Sequence, residues 1–254
     1  MAISVPLIAA IFAISLVLTM VGLGGGLIFS PLFVLLGFAK SQAASASLFL
    51  NLIAAASAAY TYSRKKMVDF SLAVPLIISS SLAAPVGSYL NVRIDLTPFL
   101  VIMAVVLAFA GVRMLMSPAA ETKIVTSITQ SKKIVSGVCI GACIGLMGGL
   151  LGIGGGVFIV PLLIYVLKTP TKIAAASSTF IVCFSSLTGF LGYASMAKIN
   201  WMFILPASLA SFAGGQAGSR IMSSRLKGKS IRVIFSVVLF ILCVKLLYRS
   251  LIGS

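Results

Sequence analysis

The sequence predicts an all-α, polytopic integral membrane protein made of two inverted repeats of about five helical segments, each interrupted by a Gly-rich break. Three observations carry this expectation. Of 254 residues, 60% are hydrophobic and 9% charged, with mean hydropathy +1.21, a balance far from that of soluble domains. The stretch Val21-Gly-Leu-Gly-Gly-Gly-Leu27, running on to Pro31, recurs as Leu151-Gly-Ile-Gly-Gly-Gly-Val157, running on to Pro161. The basic residues fall between apolar runs and collect on alternate connections, where they orient a chain in a bilayer.

Apolar windows place the helices of the first half at roughly 4–21, 27–38, 42–63, 70–91 and 98–116. The first window follows a terminus, Met1 to Pro6, without Lys or Arg. It lacks the basic leader of a signal peptide and is expected to stay in the protein. The second window, about a dozen residues long, either crosses part of the bilayer or folds back on the first as a hairpin. A polar stretch holding Pro118, Glu121, Lys123, Lys132 and Lys133 follows the fifth window. It divides the chain into a first repeat over 1–117, a cytoplasmic linker over 118–133 and a second repeat over 134–254. The second half reads as helices at roughly 134–151, 157–167, 173–195, 201–222 and 231–251, its own second window again short.

The halves align. Gly22, Gly24, Gly25, Gly26 and Pro31 match Gly152, Gly154, Gly155, Gly156 and Pro161. After one extra residue, Ala44, Ser47, Tyr62, Pro75, Gly87 and Ser88 match Ala175, Ser178, Tyr193, Pro206, Gly218 and Ser219. An odd number of segments per repeat starts the second repeat from the opposite face, which inverts it. The charges agree. Ten passes put Lys40, Arg93, Lys198, Lys245 and Arg249 on one face and the other fourteen Lys and Arg on the opposite one. The crowded face is then cytoplasmic and both termini lie outside it. Fusing each short window with its predecessor would split the charges almost evenly.

Several classes of function lack material. A net charge of +16 on a soluble protein would suggest nucleic acid, but here the cations flank spans, and no nucleic-acid partner is expected. There is no His, and the acids are Asp69, Asp95 and Glu121, all in loops or at helix ends. No carboxylate pair, zinc set or Ser-His-Asp arrangement can be assembled, so no enzyme, metal site or cofactor is expected. Cys139, Cys143, Cys183 and Cys243 read as small apolar packing residues. The Gly runs follow no strand and precede no Lys-Ser/Thr, which excludes a nucleotide loop. A cation transporter usually places Asp or Glu inside the membrane, so the missing acids point to an anionic substrate.

The candidate site is neutral and rich in donors. A helix interrupted at membrane depth is tolerated where protein or a watery cavity satisfies its backbone, and a duplicated interruption points to a transporter's binding site. Helices restarting after Gly24, Gly25 and Gly26 and after Gly154, Gly155 and Gly156 would present unpaired N–H groups and positive dipole ends. Gly25 and Gly155 are expected to need positive φ. Ser47, Asn51, Ser177, Ser178 and Gln216 supply side-chain donors. Ser47 and Ser178 occupy matching positions, while the match of Gln216 is Pro85, so the halves of the site are unequal. The plainer readings are a glycine packing face and hydroxyls bonded to neighbouring helices.

These residues resemble the TauE/SafE family of membrane permeases, often called sulfite exporters. The resemblance rests on the duplicated G-x-GGG…P motif, the Ala-rich Ser motif about twenty residues later and the Pro…Gly-Ser pattern of the following span. It covers nearly the whole chain. The family's Ser motif is often Thr-Ser; here it reads Ala46-Ser47 and Ser177-Ser178. The resemblance implies a multi-pass protein of the bacterial or archaeal inner membrane that exports sulfite or a small organosulfonate such as sulfoacetate. The reading is therefore a secondary transporter using alternating access at the repeat interface. Its partners are a small anion and the lipid bilayer. The alternatives are an anion channel or a permease importing a small organic or sulfur anion.

Overall fold

A computed structural model describes residues 5–91, 130–152, 154–194 and 200–252, together with positions 108, 111, 112 and 196. The segment expected over 98–116 and most of the linker expected over 118–133 lie outside the described residues. Among those described the chain forms nine α-helices: α1 (Val5–Met20), α2 (Gly26–Leu35), α3 (Lys40–Arg64), α4 (Phe70–Asn91), α5 (Gln130–Leu151), α6 (Gly156–Tyr165), α7 (Thr171–Ala194), α8 (Trp201–Ser224) and α9 (Gly228–Ile252). Every expected window among these residues is a helix. Three, over Ser41–Arg64, Phe70–Asn91 and Thr171–Ala194, are long and apolar enough to span a membrane.

The short helices α2 and α6 are returns. α1 runs beside α8 in the same direction, with Gly214 against Phe12 and Gly218 against Leu16. α2 leads back to the start of α8, where Phe33 and Phe38 pack on Phe203 with centroids 5.2 and 4.9 Å away. α1 and α2 thus form a hairpin, the second of the two possibilities that the sequence leaves open. In the other half α5 runs beside α4, with Gly141 against Leu76, Gly145 against Ser80 and Gly149 against Ala84. Glycine at every fourth residue lets these two backbones approach as no larger residue would.

α3 and α7 occupy the centre and run antiparallel: Leu48 lies on Gly189, Phe49 on Phe190 at 5.0 Å, and Asn51 bonds Ser186. The largest buried apolar cluster wraps this pair, from Leu18 and Tyr62 to Ile181, Phe235 and Leu239. Capping repeats as well. Asp69 accepts from the Ser71 N–H at the start of α4, and Asn200 accepts from the Phe203 N–H at the start of α8.

Contacts gather the cations at one end of the bundle. Lys65 donates to Ser223, joining the ends of α3 and α8, and the Asp69 N–H donates to Ser177 at the start of α7. Gly228, opening α9, lies against Thr171. That end carries Arg64, Lys65, Lys66, Lys168, Lys172 and the basic residues between 220 and 232.

Candidate functional site

The two breaks meet at the centre. In the first, Gly22 and Gly24 have φ of 87° and 76°; in the second, Gly152, Gly154 and Gly155 have 68°, 78° and 77°. Glycine adopts this left-handed region freely and a residue with Cβ does not. Gly25 departs from the expectation: its φ is −138°, so the backbone does not demand glycine there, and an added methyl would instead meet the ring of Phe29. Gly156 faces the backbone of Leu23, which brings the start of α6 against the first break.

Asn51, fully buried on α3, joins the two halves. Its Oδ1 accepts from the Gly25 N–H and, at 3.0 Å, from the Gly26 N–H. Its Nδ2 donates to Ser186 Oγ at 2.7 Å and lies over Gly154, where a Cβ would come within 2.5 Å of it. The carboxamide oxygen thus occupies the place that an anion's oxygen would take at a helix start. The sequence presents Asn51 as a donor; here one end of the amide accepts and the other donates. Its counterpart in the second half is Val182, whose methyl packs on Gly156 and offers α6 no acceptor.

Ser47 and Ser178 are buried and make reciprocal bonds between the halves. Ser47 Oγ donates to Gly152 O at 3.1 Å and to Gly26 O at 2.8 Å, and Ser178 Oγ donates to Gly22 O at 2.7 Å. Two of these acceptors, Gly22 O and Gly152 O, lie in the breaks beyond the ends of α1 and α5, where carbonyls lack helical partners. Ser185 does the same for Gly154 O at 2.9 Å. Two tyrosines complete the pattern: Tyr62 donates to Thr19 O at 2.9 Å and Tyr193 to Gly149 O at 3.0 Å, each just before a break.

Gly24, Gly25, Gly26, Gly154, Gly155, Gly156 and Asn51 therefore come together, with Ser47 and Ser178 bonded to the flanking carbonyls of Gly152 and Gly22. Ser177 and Gln216 lie elsewhere. Ser177 accepts from the Asp69 N–H near the basic end. Gln216 bonds Ser57 and Thr61, about 9 Å or more along α3 from Asn51. Ser186 is the residue that sequence reasoning passes over, because it is one Ser or Thr hydroxyl among seven on its helix. The tyrosines appear in the sequence only as matching positions of the two halves. Among the described residues no group of His, Cys, Asp or Glu is placed to hold a metal.

A buried centre where interrupted helices meet, held by neutral donors inside an apolar helical bundle, is the arrangement of a membrane transporter. The chain belongs to the sulfite exporter TauE/SafE family, whose pattern it matches over residues 7–246. It is 25% identical to the probable membrane transporter protein YunE of Bacillus subtilis (strain 168), over 92% of this chain and 93% of that protein. It is likewise 25% identical to the probable membrane transporter protein y4hK of Sinorhizobium fredii (strain NBRC 101917 / NGR234), over 96% of this chain and 98% of that protein. A probable membrane transporter protein of Xylella fastidiosa (strain Temecula1 / ATCC 700964) shares 25% identity over 83% of this chain and 78% of its own length. No solved structure matches the chain.

Proposed function

We propose that this transporter carries a small sulfur-containing anion, sulfite or a C2–C3 sulfonate such as sulfoacetate, out of the cell by alternating access, and binds it where the two breaks meet. The carrying observation is the Asn51 Oδ1 held by both the Gly25 and Gly26 N–H groups in a buried, neutral centre. In this reading an arriving oxyanion takes those two donors and the amide turns aside. The site is Gly24, Gly25, Gly26, Asn51, Ser186, Gly154, Gly155 and Gly156. Ser47 and Ser178 shape it by holding backbone carbonyls.

The repeats are inverted in this reading. Support comes from the antiparallel α3 and α7, the reciprocal bonds of Ser47 and Ser178, and the matched pairing of α1 with α8 and of α5 with α4. The basic end faces the cytoplasm of a cell whose inner membrane holds the protein, as the positive-inside rule requires.

The test is equilibrium binding of sulfite, sulfoacetate, taurine and sulfate to purified protein, joined to counterflow in proteoliposomes. Saturable binding of sulfite or sulfoacetate with counterflow is expected. Flux without saturation or counterflow would assign a channel, and binding of none of the four would remove the sulfur-anion assignment.

A further inference from the structure

The face of α8 turned away from the bundle is apolar for most of its length and ends in charge. Leu205, Leu209 and Phe212 follow one another at helical spacing, the last two 74% and 53% exposed. The stripe continues through half-buried Gln216 to exposed Arg220, whose guanidinium lies beside the Gln216 carboxamide. α3 runs alongside in the same direction. It adds Tyr60, 61% exposed, with the Arg64 guanidinium 5.8 Å from the ring centroid and donating to the hydroxyl at 3.3 Å. Lys65 is held beside them by Ser223 at 2.8 Å. Among the described residues none of these three cations meets a carboxylate. The one acid described, Asp69, is engaged with Ser71.

We propose that this lane binds one anionic phospholipid from the leaflet at the basic end. Its acyl chains lie along Leu209, Phe212 and Tyr60, and its phosphate is held by Arg64, Lys65 and Arg220. The lengths agree. Half of a bilayer's hydrocarbon core is roughly 15 Å, about ten residues of helix, and Arg220 lies eleven residues beyond Leu209. Exposed arginines over an apolar lane supply both parts of such a ligand's chemistry, charge for the headgroup and contact area for the chains. A second copy of the chain fits poorly, because two-fold pairing through this lane sets like cations against each other with no acid among the described residues between them. The counterpart lane on α4 exposes Ile78, Leu82 and Val86 but reaches Tyr89 where α8 has Arg220, so it lacks the headgroup end. The inference stands apart from which anion is transported.

Native mass spectrometry of the full-length protein, released from equimolar phosphatidylglycerol and phosphatidylcholine, reads the preference directly. Wild type is expected to retain one phosphatidylglycerol. Arg64→Gln with Arg220→Gln should lose that preference by roughly thirtyfold, about fivefold for each cation removed. Lys168→Gln with Lys229→Gln, which removes the same charge from the same end but off the lane, should keep it. Arg64→Lys with Arg220→Lys should retain most of it and shows that the fold survives substitution. An unchanged preference in the arginine-to-glutamine variant, or equal loss in both neutralised variants, overturns the site. So does a disulfide-linked dimer formed through Leu209→Cys in liposomes, which would assign the lane to a second copy.

Discussion

Asn51 does two things with one side chain: its oxygen fills the start of α2 and its nitrogen ties that start to α7. Replacing it by Asp tests the proposed competition. A carboxylate at this position would meet the same two backbone N–H groups at a helix start. Asn51→Asp should therefore fold, and its tethered charge should weaken sulfite binding at least tenfold in an equilibrium titration; wild-type affinity would show that the anion does not use the Gly25 and Gly26 donors. The glycines make a second prediction at this scale. Gly155 has φ of 77° and a Cβ there would meet Ile144 O at 2.9 Å, whereas Gly25 has negative φ and meets only a side chain. Gly155→Ala should lower the thermal midpoint in detergent more than Gly25→Ala, with a left-handed Ala alone costing roughly 1–2 kcal/mol. Equal midpoints would count against the difference in backbone between the two breaks. Residue identity announced the breaks because they are written twice. It gave no sign that Asn51 caps one of them, since that bond joins positions 26 residues apart.

At the scale of elements, each break is fastened on both sides. Tyr62 and Tyr193 hold the last turns of α1 and α5, and Ser178 and Ser47 hold the carbonyls that follow. Tyr62→Phe and Tyr193→Phe each delete one such bond. Hydrogen bonds inside membranes average about 0.6 kcal/mol by double-mutant cycles and reach about 2, so each variant should lose stability in that range. A loosened break should slow counterflow more than it changes affinity, and a variant with wild-type counterflow would make these tyrosines packing residues alone. The windows of apolar sequence located every described helix, because length and composition decide what can lie in a bilayer. The direction of α2 was not legible. Ten residues of apolar helix look the same whether they continue or turn back, and the turn rests on contacts with Phe203 and the start of α8 that no local pattern encodes.

For the whole molecule, the proposed orientation rests on the sequence tally of charges and on the gathering of cations at one end. Single cysteines at Lys65 and Lys198 in a Cys-free protein check it. A membrane-impermeant maleimide applied to intact cells should label Lys198→Cys and spare Lys65→Cys, and labelling of both would break the five-plus-five arrangement. The pairing of helices crosses the midpoint of the chain: α1 lies on α8 and α5 on α4, through glycines that leave backbones nearly touching.

One consequence concerns how such a chain is made. The carbonyl of Gly22 is satisfied by Ser178, 156 residues later. At roughly 5–20 residues per second the ribosome needs on the order of ten to thirty seconds to reach that serine. Throughout that interval the first broken helix would stand without the hydroxyl that satisfies this carbonyl in the folded protein. The amino-terminal half made alone should therefore be held by the insertion machinery or degraded, and the two halves made as separate chains should rescue each other, which pulse-chase labelling would display as co-dependent lifetimes.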